Sequence, residues 1–109
     1  MQRDASGKFI NFYNDGLSYR ERRLVRLYGI TLEEYEKKLS DQLSGCSICN
    51  RTIEQMGRAL HIDHDHKTKQ VRDLVCGSCN LILGLANDEP ERLLKSYLYL
   101  IKHKRLNNY

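Results

Sequence analysis

The chemistry of this chain is concentrated between residues 46 and 80. His61-Ile62-Asp63-His64-Asp65-His66 holds three of the four histidines and two carboxylates, and it lies between two cysteine pairs, Cys46-x-x-Cys49 and Cys76-x-x-Cys79. A two-residue spacer lets a tight turn aim both sulfurs at one ion, and four thiolates suit tetrahedral zinc with bonds of about 2.3 Å. A closed four-thiolate site leaves no open position for a substrate, so the zinc expected at Cys46, Cys49, Cys76 and Cys79 is structural. The 26 residues between the pairs exceed the commonest finger spacing and leave room for a hairpin.

With the cysteines engaged, His61, Asp63, His64, Asp65 and His66 are free for other work. A solvated cluster and a second zinc site are the bland readings. Phosphodiester hydrolysis is the sharper one: a base must deprotonate water, and a hard cation must neutralise charge developing on phosphate and leaving oxygen. Histidine, with an ordinary pKa near 6.5, suits the first task. A carboxylate plus an amide oxygen suits Mg²⁺, which keeps several waters, and Asp63 with Asn80 can supply that pair. Adjacent strand residues point to opposite faces. For Asp63 and His64 to act together, the regular strand is therefore expected to end at His61-Ile62, with 63–67 curving into a turn.

The flanking elements must position these groups. Ser18-x-x-Glu21 and Thr31-x-x-Glu34 are capping-box patterns, each opening a helix, the first stopped by Gly29. The first helix carries Arg20, Arg22, Arg23 and Arg26, either a solvated face or a set of phosphate contacts. In the second, Leu32, Tyr35, Leu39 and Leu43 recur at helical steps and are expected along one core-facing stripe. Segments 59–66 and 70–75 read as a two-stranded hairpin around Lys67-Thr68-Lys69, which needs a partner to pack on. Asn80 is read as the N-cap of a short apolar helix containing Leu81 and Leu85. A last helix opens at Asp88-Glu89-Pro90-Glu91, carries a stripe of Leu93, Leu94, Tyr97, Leu98 and Ile101, and ends basic.

At 109 residues the chain reads as one domain: an arm over 1–17, helices over 18–44, a zinc-bound core over 45–87 and a C-terminal helix over 88–109. It lacks Trp and has two Phe, so burial alone gives modest stability and a metal is the expected supplement. A net charge of +4 favours a polyanionic partner without demanding one. No apolar run approaches the roughly 20 residues of a membrane span, and no secretory signal is evident. A soluble, intracellular protein is expected, in a reducing compartment where paired cysteines favour metal over disulfides.

The combined motif, Cys46-x-x-Cys49, His61 to His66 as quoted, and Val71-Arg72-Asp73-Leu74-Val75-Cys76-Gly77-Ser78-Cys79-Asn80, resembles the recombination endonuclease VII family of phage nucleases. These belong to the wider HNH, or His-Me finger, group. The resemblance implies an α+β protein with a ββα-metal core, a structural four-cysteine zinc and flanking helices. It implies a Mg²⁺- or Mn²⁺-dependent DNA endonuclease, with Asp63 and Asn80 holding the catalytic cation, His64 as general base and His66 assisting. It also implies 5′-phosphate and 3′-hydroxyl ends. His61 matches a family position without an assigned role. Arg20, Arg22, Arg23, Arg26, Lys67, Lys69 and Arg72 are the expected DNA contacts. The best-known member resolves branched DNA as a dimer through a C-terminal extension; this sequence stops soon after its last helix, so junction resolution and a homodimer stay open. The implied location is the cytoplasm, the host's if the chain is phage-encoded. The alternatives are a non-enzymatic zinc module binding DNA or protein, and a sequence-specific homing or restriction nuclease.

Overall fold

A computed structural model describes residues 16–107, with side chains to residue 104. The expected arm over 1–17 thus lies outside the described residues, apart from Gly16 and Leu17. The elements run α1 (Tyr19–Tyr28), α2 (Leu32–Asp41), α3 (Ile53–Met56), β1 (His61–His64), β2 (Val71–Val75), α4 (Gly77–Leu85) and α5 (Pro90–Asn107). The architecture is a small α+β arrangement: helices around one two-stranded antiparallel sheet.

Local side-chain chemistry starts the first two helices as the sequence requires. Ser18 Oγ accepts the Glu21 N–H at 3.1 Å while the Glu21 carboxylate accepts the Ser18 N–H at 3.0 Å. Thr31 and Glu34 repeat the exchange at 3.0 Å in both directions. Each such cap typically contributes about 1 kcal/mol. Gly29, at φ 69°, closes α1 and donates its N–H to the Val25 carbonyl, in the left-handed conformation that glycine adopts freely. A third capping box, Thr52 with Gln55, opens the single turn of α3.

Leu43 departs from expectation. It does not continue the α2 stripe: Gln42 caps the helix, and Leu43 and Ser44 follow at φ 53° and 58°, leaving the Leu43 side chain 83% exposed. Gln42 explains the break, because its side chain is committed elsewhere. Its amide nitrogen donates to the carbonyls of Gly45 and Leu74 at 2.7 and 2.8 Å, and its oxygen accepts the Leu74 N–H at 3.0 Å. One glutamine thereby ties the end of α2 to the first cysteine loop and to β2. A left-handed leucine with nothing to bury is a strained choice. Leu43→Gly is expected to stabilise the fold by about 1 kcal/mol, seen as a rise of several degrees in the thermal midpoint; an unchanged or lower midpoint would contradict it.

The core gathers Leu24 and Tyr35 from the first two helices, Ile30 between them, Leu60, Leu74 and Val75 from the hairpin region, and Cys46, Cys76 and Cys79. Three of the four cysteines are thus core residues, so packing and any metal site are one structure. In the sheet, His61 faces Val75, Ile62 faces Leu74 and His64 faces Val71. Two steps on β1 therefore match three on β2, which makes a bulge at Arg72 and Asp73, opposite Asp63. The Asp65 carboxylate builds the hairpin turn by accepting the N–H groups of Lys67 and Thr68 at 2.8 Å each, and these bonds, with Thr68 first, hold its pKa below the ordinary value.

The second departure is the start of α4. Cys76, not Asn80, is its N-cap: the Cys76 sulfur accepts the Cys79 N–H at 3.4 Å and the helix begins at Gly77. Asn80 lies inside the helix. Along α5, Leu94, Tyr97 and Leu98 of the expected stripe are more than half exposed. No helix among the described residues is long and apolar enough to cross a membrane.

Candidate functional site

The candidate metal centre is assembled from two segments, a turn and a helix start. Ahead of α3, the Cys46 N–H donates to the Arg51 carbonyl at 2.8 Å and the Asn50 N–H to the Cys46 carbonyl at 2.9 Å, while the Ser47 N–H reaches the Leu74 carbonyl at 3.0 Å. This turn presents Cys46 and Cys49 to the start of α4, where Cys76 and Cys79 sit on the first turn. All four ligand sulfurs lie within 4.8 Å of one another, and Cys49 Sγ is 3.7 Å from Cys76 Sγ. A tetrahedral ion with bonds of about 2.3 Å would put its sulfurs about 3.8 Å apart, so the set fits zinc and can hold a metal ion.

The electrostatics point the same way. Arg51 donates from Nε to Cys49 Sγ at 3.3 Å and from Nη2 to Cys76 Sγ at 3.6 Å. It lowers the exposed Cys49 thiol to about 6. Burial works to raise Cys46, but the backbone N–H groups of Cys49, Cys76 and Ile48 outweigh it and leave its pKa lowered. Burial pushes the Cys79 thiol up to about 12, so this sulfur keeps its proton at neutral pH unless a metal ion displaces it.

Next to this centre, His64 and Asn80 line one open cavity of about 450 Å³, together with His61, Tyr28, Tyr35 and Arg20. The His64 ring lies 6.2 Å from the Tyr28 ring and 5.3 Å from the His66 ring, centroid to centroid. Arg20 stacks over Tyr35 at 5.1 Å, which places a cation at the rim. The Asn80 side chain is half-buried, and no hydrogen bond holds its amide among the described residues. Gly77 leaves room for His61, since a Cβ there would meet His61 Nε2 at 3.3 Å.

Asp63 is placed differently. The strand does not end before it, as expected from the sequence; β1 continues to His64, and strand alternation turns Asp63 away from His64. The carboxylate is 6% exposed and borders a separate cavity with Arg72, Ser47 and Leu83. Leu83 is one turn beyond Asn80 on α4, so Asp63 faces the helix that carries Asn80 without sharing its cavity. Both Asp63 oxygens are occupied: Arg72 donates from Nε to Oδ2 at 2.6 Å and from Nη2 to Oδ1 at 3.0 Å. Arg72 Nη2 also reaches Asp88 Oδ1 at 3.2 Å. These carboxylates, Asp63 first, raise the Arg72 pKa above its ordinary value.

Of the other expected residues, His66 borders a third cavity with Asp65, Lys67 and Asp88, and Arg20, Arg23, Arg26, Lys67 and Lys69 are exposed. Arg72 is not a free surface cation. Gln42 and Arg51 escaped the sequence reading, and Asp88 entered it only at the opening of the last helix, not as a partner of Arg72. A basic residue two places after a ligand cysteine could have flagged Arg51, whereas nothing local marks the other two roles.

The fold and site define a class: a small α+β protein in which the turn at Cys46–Cys49 and the start of α4 bring four cysteines together where they could hold a metal ion. The family model for recombination endonuclease VII matches residues 21–102, and the chain belongs to that family. It is similar to the gene 59 protein of Mycobacterium phage D29, 46% identical over 83 residues that cover 75% of this chain and 50% of that protein. The gene 59 protein of Mycobacterium phage L5 is 42% identical over 82 residues, 74% of this chain and 49% of that protein. The chain spans about half the length of these curated relatives. No solved structure matches.

Proposed function

We propose that this chain is a metal-dependent DNA endonuclease of the HNH type, with β1, β2 and α4 as its ββα-metal core and zinc at the four cysteines. One observation carries the reading. Asn80 sits in a helix interior, where asparagine is a poor choice by roughly 0.5 kcal/mol or more. Cys76 does the capping, no hydrogen bond holds the Asn80 amide among the described residues, and Asn80 lines the same cavity as His64. A non-enzymatic zinc module has no use for that arrangement.

In this reading His64 takes the proton from water, and Arg20 at the rim neutralises a phosphate. His66, in ring contact with His64, holds that imidazole in place. Asp63 and Asn80 offer a carboxylate and an amide oxygen, the donor types that Mg²⁺ or Mn²⁺ takes. As placed, the two side chains border separate cavities and Arg72 occupies both Asp63 oxygens, so they do not fit one ion together. The 5′-phosphate and 3′-hydroxyl ends are proposed on the family resemblance alone. Arg23, Arg26, Lys67 and Lys69 would add phosphate contacts of little sequence preference, with affinity falling steeply as salt rises. Family membership and phage relatives favour action on DNA in the cytoplasm of an infected cell.

Asn80→Ala tests the reading. Cleavage of supercoiled plasmid in Mg²⁺ is expected to fall by about a hundredfold or more, with zinc content and helical signal unchanged. Full activity would remove Asn80 from the site; loss of helix would return it to a structural role.

A further inference from the structure

His61 belongs to two cavities at once. It lines the one that holds His64 and Asn80, and it lines a second, of about 540 Å³, with Arg51, Gln55, Arg58, Gly77 and Ser78. Two arginines and a histidine border this second cavity, and no carboxylate does. The cavity past His66 is the opposite case, with Asp65, Asp88, Glu89 and Glu91 against Lys67. A polyanion leaving the His64 and Asn80 cavity is therefore drawn past His61 and repelled past His66.

Local structure fixes the two arginines. Thr52 and Gln55 open α3 with a capping box, and Gly57, at φ 68°, ends it after a single turn. Four helical residues span only about 6 Å. Arg51, just before the Thr52 cap, and Arg58, just after Gly57, thus stand at the two ends of one short turn. Arg51 is anchored on the sulfurs of Cys49 and Cys76 through Nε and Nη2, and its Nη1 makes no hydrogen bond among the described residues. Arg58 is exposed and has no ion pair among the described residues. The His61 ring stands against the first turn of α4, with Nε2 3.3 Å from the point that a Gly77 Cβ would occupy.

We infer that Arg51, Arg58 and His61 form a phosphate-binding subsite, which takes the backbone phosphodiester next to the one cut at His64 and Asn80. The inference rests on the reading above in one respect, that the substrate is DNA. The guanidinium groups donate to the phosphate oxygens, a pairing their planar donor geometry suits. His61, on the wall between the cavities, contacts the strand as it passes from one to the other. Arg51 has two duties, to the cysteine sulfurs and to the strand, and its anchorage lowers the ordering cost of the second. A phosphate is recognised here by charge and donor geometry, so the subsite carries no base preference.

The test is binding of a fluorescein-labelled DNA duplex by the zinc-loaded protein without Mg²⁺, read by fluorescence anisotropy across a salt series. Arg58→Ala is expected to weaken binding roughly three- to tenfold and to lower the slope of log affinity against log salt by about one, as the loss of one phosphate contact does. Its melting temperature should match wild type, since the side chain is exposed. Arg58→Lys keeps the charge and should keep the slope. Lys37→Ala removes the same charge from α2, where Lys37 is paired with Asp41 at 2.7 Å, and should change neither affinity nor slope. Wild-type affinity and slope in Arg58→Ala, an equal drop in Lys37→Ala, or a native chain that does not bind the duplex at low salt would each overturn the inference. A protein with the expected slopes that cuts no plasmid would overturn the nuclease reading alone. One that cuts plasmid while Arg58→Ala binds as wild type would overturn the subsite alone.

Discussion

Withdrawing zinc from the four-cysteine centre is expected to unfold the described core. Three of the ligands are core residues, with Cys46 at 1% and Cys76 at 2% exposure, so the metal and the apolar packing cannot be lost separately. Structural zinc contributes on the order of 10–16 kcal/mol in small peptides, against roughly 5–15 kcal/mol for the whole stability of a domain. Cys76→Ser should therefore leave no cooperative thermal transition, and a strong chelator should abolish that of the native chain. Acid should do the same. The Cys49 thiol is lowered to about 6 by Arg51. A depressed thiol stabilises the folded state fully above its ordinary value near 9, and that contribution fades as pH falls through 6. Circular dichroism with a chromogenic zinc assay checks both; a chain that melts identically with and without chelator would show that the cysteines hold no structural ion.

The second large effect is expected at His64. Losing a general base costs about 10²- to 10⁴-fold in rate. His64 lies half-buried at the end of β1 with ring neighbours and no side-chain hydrogen bond among the described residues, so His64→Ala should fold, keep its zinc and bind DNA. His66→Ala, which removes a ring packed on His64 at 5.3 Å, is expected to lose less. Equal plasmid cleavage by His64→Ala and wild type would remove His64 from its role.

What the sequence disclosed follows from how far apart the interacting groups stand. The capping boxes at Ser18 and Thr31 are exchanges across three residues, so the pattern and the bonds coincide. The cysteine pairs were legible because a two-residue spacer leaves one economical geometry. The family resemblance, carried by the motif from Cys46 to Asn80, agrees with the family match. The start of α4 was misplaced because a cysteine sulfur serves as the cap at Cys76, a role usually filled by the short polar side chains that asparagine exemplifies. Leu43 followed the helical period, but the period cannot register that Gln42 is pulled onto Leu74. The Asp63–Arg72–Asp88 chain was hidden for a different reason. It depends on a one-residue bulge in β2, and register is set by tertiary packing that residue spacing does not encode.

The central claim is that the cavity shared by His64 and Asn80 hydrolyses DNA. The most direct measurement is incubation of supercoiled plasmid with the zinc-loaded chain and Mg²⁺, followed by gel electrophoresis, with His64→Ala alongside. Conversion to open-circular or linear DNA by the native chain, reduced at least about a hundredfold in the variant, is the predicted result. A folded, zinc-loaded native chain that binds the plasmid but leaves it supercoiled, in Mg²⁺ and in Mn²⁺ and on branched DNA as well, would contradict the account and leave a zinc-stabilised DNA-binding module in its place.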